Sequence, residues 1–160
     1  MISKKIILLG KYGVGKTSLT NRFVHSKFSE EYLTTIGVNI EKKVVHTSKG
    51  DISLIIWDIA GESSQSKVSN TYKLGAAGIL YVVDLSRPTS YESLPEEIEE
   101  LAKLLPNVPV IVLGNKKDLF TENQLQELDK KIKFSKKLFT SAKTGDEVEQ
   151  AFSQLAELIV

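Results

Sequence analysis

Residues 10–17 read GKYGVGKT, which fits a phosphate-binding pattern: a glycine, four residues of any type, then Gly-Lys-Ser or Gly-Lys-Thr. Glycines let the main chain approach a phosphate closely because they carry no Cβ atom. The lysine brings a positive charge to the outer phosphates, and the hydroxyl can bind Mg²⁺. The alternative is a surface loop that happens to contain three glycines. The nucleotide-binding residues predicted in this stretch are Gly10, Tyr12, Gly13, Val14, Gly15, Lys16, Thr17 and Ser18.

The segments on either side of this loop have the patterns of a strand and a helix. Residues 5–9 form a short apolar run, as in a buried strand, and Leu19, Phe23 and Val24 follow the loop at helical spacing. A strand, a glycine loop and a helix in this order aim backbone N–H groups and a helix N-terminus at an anion. This context favours phosphate binding.

An aspartate ends another apolar run, in the sequence WDIAGE at residues 57–62. Beside a phosphate loop, Asp58 is predicted to hold Mg²⁺ through water, and Gly61 can offer its backbone N–H to a terminal phosphate. The alternative is an ordinary turn, since aspartate is common where a strand ends.

The tetrad NKKD at residues 115–118 bears on the identity of the base. Guanine presents two adjacent donors, N1–H and the N2 amine, and one carboxylate can accept both, so Asp118 is predicted to select guanine over adenine. The aliphatic stem of Lys116 can lie on the face of the base. Asn115 can connect loops by side-chain hydrogen bonds. Without the other motifs, a charged turn explains the tetrad equally well.

A third segment, SAK at residues 141–143, follows the last predicted strand. The small side chain of Ala142 leaves room for its backbone N–H to reach the guanine O6. Ser141 and Lys143 complete the segment as predicted nucleotide-binding residues. The tripeptide carries weight only in its order behind the other motifs.

Apolar runs and amphipathic segments alternate along the chain, which predicts an α/β fold with a mostly parallel sheet. Capping-box pairs predict three helix starts, at Ser93 with Glu96, Thr121 with Gln124 and Thr144 with Glu147. The predicted strands lie near 4–9, 38–47, 52–58, 78–84, 108–114 and 136–140. The predicted helices lie near 16–25, 67–75, 91–104, 122–131 and 145–159. Turn residues at 48–51 predict that the second and third strands pair antiparallel.

Composition narrows the function classes. The 160 residues suggest one domain spanning 1–160, and a net charge of +1 argues against a nucleic-acid partner. The absence of cysteine excludes disulfides and thiolate chemistry. We find no signal peptide, no apolar stretch of bilayer length and no lipidation motif in this chain. We therefore expect a cytoplasmic monomer without a membrane anchor in this chain.

In their order and spacing, these motifs resemble those of the Ras-like small GTPases, most closely the Rab branch. The similarity also includes residues 34–37 (TTIG), Gly75-Ala76 and Asp84, and it covers essentially the whole chain. It implies a P-loop GTPase fold, with a six-stranded, mostly parallel sheet, one antiparallel strand and five flanking helices. It further implies a switch that cycles between GTP and GDP and uses Mg²⁺.

The resemblance also assigns roles to residues that the motifs alone leave open. Thr35 is implied to bind Mg²⁺ only when the γ-phosphate is present, and Tyr32 to cover the phosphates. Phe28 is implied to contact the guanine, although a core phenylalanine is the alternative. Effectors, exchange factors and activating proteins are implied to bind switch I, the interswitch strands and switch II. The implied catalytic residues are Lys16, Thr35, Gly61 and Glu62.

Two residues depart from the family pattern where the chemistry takes place. Glu62 replaces the usual glutamine, which positions the attacking water. A carboxylate only accepts hydrogen bonds, so it cannot donate to the charge that develops on the γ-phosphate. Tyr12 replaces a small residue, and its ring is expected to crowd the space that an arginine finger needs. The alternative for Tyr12 is that its ring points to solvent and that an unconventional partner supplies the catalytic group. We predict slow GTP hydrolysis. The alternative is a hydrolysis-impaired, GTP-bound module that presents its switch regions to a partner.

Overall fold

The computed structural model describes residues 1–28, 37–61 and 70–160. Two short 3₁₀ turns lie at Pro88–Ser90 and Lys117–Leu119. The six strands are β1 (Ile2–Leu9), β2 (Val38–Thr47), β3 (Gly50–Ile59), β4 (Gly78–Asp84), β5 (Val110–Asn115) and β6 (Lys137–Phe139). The five helices are α1 (Lys16–His25), α2 (Asn70–Lys73), α3 (Leu94–Leu104), α4 (Glu122–Lys131) and α5 (Val148–Ile159). Within the described ranges, no helix combines the length and the apolar composition needed to cross a bilayer.

The six strands form one sheet in the order β2-β3-β1-β4-β5-β6. Strands β2 and β3 pair antiparallel across a tight hairpin, and every other neighbouring pair is parallel. The predicted fold class is therefore confirmed. A two-residue hairpin can only join antiparallel strands, whereas the longer helical connections allow parallel pairing. This topology brings the C-terminal ends of β1, β3, β4 and β5 to one edge of the sheet.

Helices cover both faces of the sheet, so the core has two halves. One half packs α1 and α5 on the sheet, and there the rings of Phe23 and Phe152 stack with centroids 4.0 Å apart. The other half packs α3 and α4, through residues such as Leu101 and Leu128. All seven residues of β4 are buried, as predicted for a central strand covered on each side.

The helix starts show where local sequence signals were sufficient. Thr121 and Gln124 form the predicted capping box at α4. Ser93 occupies the N-cap of α3, but its hydroxyl donates to Glu97 at 3.3 Å, and the predicted box with Glu96 is wrong.

The predicted start of α5 is also wrong. Thr144 does not cap the helix; its hydroxyl accepts instead from the backbone N–H of Asp146 at 3.2 Å. Glu147 has a left-handed backbone with φ of 61°, so α5 begins only at Val148. The turn at 144–147 thus competes successfully for the hydroxyl that a capping box would need.

A lysine on β1 holds the end of α2. The Nζ of Lys5 donates to the carbonyls of Tyr72 and Leu74, at 2.8 and 2.7 Å, where the last carbonyls of a helix lack internal partners. The same Nζ lies 3.7 Å from the ring centroid of Trp57. Burial lowers the pKa of Lys5. These hydrogen bonds therefore fix the C-terminal end of α2 to the sheet.

Candidate functional site

The loop between β1 and α1 is folded tightly against the ends of neighbouring strands. A Cβ atom at Gly10 would lie 2.3 Å from the Val82 carbonyl oxygen of β4, so no larger residue fits there. A Cβ at Gly15 would lie 2.3 Å from Nδ2 of Asn115, and its φ of 104° also favours glycine. The loop is therefore pressed against β4 and β5 at the sheet edge where α/β folds bind ligands.

Lys16 opens α1 and turns its side chain back over the loop. It is buried, and its Nζ lies 3.4 Å from the Gly10 carbonyl oxygen and 3.3 Å from that of Lys11. The backbone thus places the ammonium group inside the curve of residues 10–16. This is the position from which a lysine can reach the outer phosphates of a bound nucleotide.

Thr17 and Asp58 come together from two different elements. The Thr17 hydroxyl, in the first turn of α1, donates to Oδ2 of Asp58 at 2.6 Å. Asp58 is fully buried and lies near the end of β3. A hydroxyl and a carboxylate oxygen in contact are hard oxygen donors of the kind that Mg²⁺ accepts together with phosphate oxygens. The two residues therefore fit the predicted metal role.

Gly61 lies directly on the phosphate loop. A Cβ at Gly61 would be 2.6 Å from Cα and 2.7 Å from N of Tyr12, so the two backbones are in contact. The Tyr12 side chain is 47 % exposed. The Tyr12 carbonyl accepts a hydrogen bond from Nη2 of Arg87 at 2.7 Å. Position 12 is thus held by its backbone, while its ring stands at the surface.

Asn115 connects three segments of the chain, as the sequence suggested. Its Nδ2 donates to the carbonyl of Val14 at 3.1 Å. Its Oδ1 accepts from the hydroxyl of Thr140 at 3.2 Å and from the N–H of Ala142 at 3.3 Å. Because Asn115 is buried, these bonds are shielded from water and join the phosphate loop to the segment at 140–142.

Asp118 is exposed in the 3₁₀ turn after β5, and Ser141 orients it. The Ser141 hydroxyl donates to Oδ1 of Asp118 at 2.7 Å, and the exposed carboxylate keeps further acceptor capacity for a base. The ammonium group of Lys116 does not point freely outward; it pairs with Oδ2 of Asp84 at 2.8 Å. The left-handed backbone of Lys116, with φ of 72°, turns the chain between Asn115 and the 3₁₀ turn.

The remaining predicted residues divide into those the structure describes and those it does not. Phe28 packs against the core cluster on α1 and α5, which agrees with the alternative considered for it. Gly13, with φ of 80°, Val14 and Ser18 continue the loop into α1. Lys143 follows Ala142, and its carbonyl accepts from Arg22. The predictions for Tyr32, Thr35 and Glu62 lie outside the described residues.

Asp84 connects Lys116 and Arg87, a role that its place in the sequence did not predict. It is fully buried at the end of β4, where Oδ2 accepts from Lys116 and from Nε of Arg87 at 3.1 Å, and Oδ1 accepts from Ser86. Burial by itself raises the pKa of Asp84, but the hydrogen bonds from Lys116 and Ser86 outweigh it and lower that pKa. An aspartate ending a central strand was the available signal.

Two arginines had no such signal. Arg87 contacts residue 12 across 75 positions of sequence, and Arg22 contacts the segment at 142–143 across 120. Neither belongs to a motif, and only the folded chain brings them to the site.

The whole-chain comparisons agree with this geometry. The sequence model of the Ras family matches residues 5–160. Ras-related protein Rab-4B of Rattus norvegicus is 36 % identical over 162 residues, with 98 % of this chain and 76 % of the relative covered. Ras-related protein Rab-7b of Mus musculus is also 36 % identical, with 97 % and 81 % covered. The chain therefore belongs to the Ras family of small GTPases, on its Rab branch.

Proposed function

We propose that this protein is a magnesium-dependent GTP switch whose intrinsic hydrolysis is slow. Family membership establishes the coarser part, a GTP-binding small GTPase. The proposal adds the assignment of roles to residues, the need for Mg²⁺ and the low rate. Its central observation is the contact between the backbones of Gly61 and Tyr12, because Tyr12, one of the two departures from the family pattern, lies beside the residue assigned to the terminal phosphate.

The binding part of the proposal uses the residues that the fold brings to the sheet edge. Lys16 and the loop N–H groups hold the phosphates, and Asp118, oriented by Ser141, accepts from the guanine N1–H and N2 amine. Lys143 and the stem of Lys116 border the base. Phe28, which follows α1 and is only partly buried against the core, is assigned to contact it as well.

The metal part uses Thr17 and Asp58, with Thr35 as a further ligand that depends on the γ-phosphate. Thr17 binds through its hydroxyl, while Asp58 holds the ion's water. When bound, Mg²⁺ would neutralise part of the negative charge that develops during phosphoryl transfer. Thr17 and Asp58 are in contact through a hydrogen bond, so the residues that would hold the ion already lie together.

The slow rate follows from the chemistry of residues 12 and 62. Water attacks the γ-phosphate in line, and Lys16 with the loop N–H groups stabilises the transition state. Glu62 accepts hydrogen bonds but donates none, and it adds negative charge beside a triphosphate. Gly61, which the resemblance assigns to the terminal phosphate, touches the backbone of Tyr12, so the tyrosine borders the γ-phosphate side of the proposed site.

Single-turnover GTP hydrolysis by wild type, Glu62→Gln and Tyr12→Gly tests this proposal. We expect Glu62→Gln to raise the rate roughly a hundredfold, the low end of what one transition-state donor contributes. Tyr12→Gly is expected to raise it less without an activating protein. Glu99→Gln, which removes an exposed carboxylate on α3, is the matched control and should leave the rate unchanged. Wild type matching or exceeding both variants would overturn the slow-hydrolysis assignment.

A second candidate is a module that stays GTP-bound and serves as a binding surface. Exposed apolar residues on β2, Ile40 at 49 % and Val44 at 43 %, favour it, because they form a surface that a protein partner can cover. A single domain over 1–160 acting as a monomer is common to both candidates. Protein that retains GTP after long incubation with Mg²⁺ supports the module, and conversion to GDP supports the switch.

A further inference from the structure

Helix α1 touches both ends of the proposed nucleotide site. Its first turn carries Lys16 and Thr17, which face the phosphate side. Less than two turns later, Arg22 faces the opposite end and reaches the segment at 141–143. One helix therefore spans the distance between the groups assigned to the phosphates and the groups assigned to the base.

Arg22 binds this segment through its backbone. Its Nε donates to the Ala142 carbonyl at 2.8 Å, and its Nη2 donates to the carbonyl of Lys143. The stem of Arg22 also lies beside Gly145, since a Cβ there would be 3.6 Å from Cδ of Arg22. A guanidinium group is planar, and its fork of donors can hold two consecutive carbonyls in a fixed relation.

The same segment is held from the other side by β5. The N–H of Ala142 donates to Oδ1 of Asn115 across 3.3 Å, slightly beyond the usual range for N–H···O bonds. Ala142 itself is buried, at 3 % exposure. The peptide groups around Ala142 are thus fixed between Asn115 and Arg22. The carbonyl is bound to α1, while the N–H makes only a long bond to Asn115, which an oxygen of a bound base can replace.

We propose that Arg22 is a positioning residue for guanine recognition, which sets the Ala142 N–H so that it can donate to O6 of the base. The inference rests on the proposed guanine site. Arg22 contacts no part of the base; it acts through the carbonyls of residues 142 and 143. Asp118 reads the N1–H and N2 amine separately, because it is held by Ser141 and not by Arg22.

This division of labour predicts that recognition of O6 and recognition of the N2 amine can be separated. Three nucleotides report on it: GDP, IDP, which lacks the N2 amine, and 6-thio-GDP, which replaces O6 with a poorer acceptor. In Arg22→Met, which keeps a stem but no donor, we expect the preference for GDP over 6-thio-GDP to fall about fivefold, the worth of roughly one neutral hydrogen bond. The preference for GDP over IDP should stay within about twofold.

Two further variants make the test specific. Arg22→Lys keeps the charge and one donor, and it should restore part of the GDP over 6-thio-GDP preference. Lys131→Met removes an exposed cation from α4, away from the site, and should change neither preference. If Arg22→Met does not fold, as judged by thermal unfolding, Arg22→Lys carries the test with the smaller shift.

The outcomes separate the inference from the proposed function. Unchanged preferences in both Arg22 variants, or an equal loss of both preferences, would overturn the role of Arg22. If wild type does not prefer GDP to IDP, the proposed reading of the N2 amine by Asp118 is wrong, whatever Arg22 does. If Arg22→Met loses only the preference for GDP over 6-thio-GDP, the result supports both the role of Arg22 and the proposed guanine site.

Discussion

At the guanine end of the site, bonds between side chains join the segments in addition to bonds to the main chain, whereas the phosphate loop at residues 10–12 is held through its backbone. Asn115 and Ser141 make the side-chain bonds at the guanine end. At the phosphate end, Lys16 and Arg87 donate to main-chain carbonyls, and Gly61 touches the backbone of Tyr12.

The difference explains why position 12 can depart from the family pattern. A side chain that makes several buried hydrogen bonds cannot change without leaving its partners unsatisfied. A position held through its carbonyl can change its side chain while the loop keeps its shape. The guanine motifs follow the family pattern, and Tyr12 appears at the phosphate end, where the ring stands at the surface.

The largest expected effect is on the affinity for guanine nucleotides. Asp118→Asn places a donor where guanine presents its N2 amine, so GTP affinity should fall about 10⁴-fold, and xanthine nucleotides, which carry an acceptor there, should bind better. Competition between GTP and XTP for the purified protein measures this. Asp146→Asn removes a nearby carboxylate that pairs with Lys117 and serves as the control. Continued preference for GTP in Asp118→Asn would mean that this carboxylate does not read the base.

An intermediate effect concerns Asp84, which joins the two ends through Lys116 and Arg87. Asp84→Asn removes the buried negative charge that both cations share, and it should lower the free energy of unfolding by about 2 kcal/mol. The folded-state pKa of Asp84 is lowered, so its stabilisation is present above the ordinary aspartate range and is lost as pH falls through the lower folded value.

Urea unfolding of wild type and Asp84→Asn between about pH 2 and pH 7 checks both parts, since the ordinary pKa of aspartate is near 4. Wild-type stability should fall more steeply toward acid than that of the variant. Parallel curves would show that Asp84 does not carry this dependence. Asp129→Asn removes an exposed carboxylate that pairs with the partly buried Lys137, and it is a control for the loss of a surface carboxylate.

The smallest expected effect is on the rate of GDP release, and it tests whether the phosphate end can be weakened without changing base preference. Arg87→Met removes the bond to the Tyr12 carbonyl, and GDP release should become about fivefold faster, in line with one hydrogen bond at a partly exposed site. Relative affinities for GDP and IDP should not change, because Arg87 does not touch the guanine segments. Stopped-flow release of a fluorescent GDP analogue gives the rate. A changed base preference would contradict the separation.

Much of this architecture was predictable because its determinants are local. The apolar runs predicted the strands in their correct order along the chain. Thr121 with Gln124 correctly predicted the start of α4. The capping box predicted at Thr144 is absent because its hydroxyl accepts a hydrogen bond within the adjacent turn. The box predicted at Ser93 is absent because the Ser93 hydroxyl donates a hydrogen bond to Glu97 instead. Both competing bonds depend on the conformation of neighbouring residues, which spacing alone does not reveal.

The candidate site was predictable for the motif residues and not for the residues that hold them. Asp118, Asn115 and Lys16 stand in patterns whose chemistry can be read from residue type. Arg22 and Arg87 bind carbonyl groups, and any residue can supply a carbonyl. A hydrogen bond to a carbonyl does not depend on the type of the residue that supplies it, so such contacts can be found only from the folded structure.

The lysine under Trp57 has a consequence for observing the protein. Trp57 is the single tryptophan of the chain, and it lies over the Lys5 ammonium group, which in turn binds the carbonyls at the end of α2. Indole emission responds to a charge beside the ring. The intrinsic fluorescence of this protein is therefore a label-free signal of whether α2 is docked on the sheet, reported from one known position.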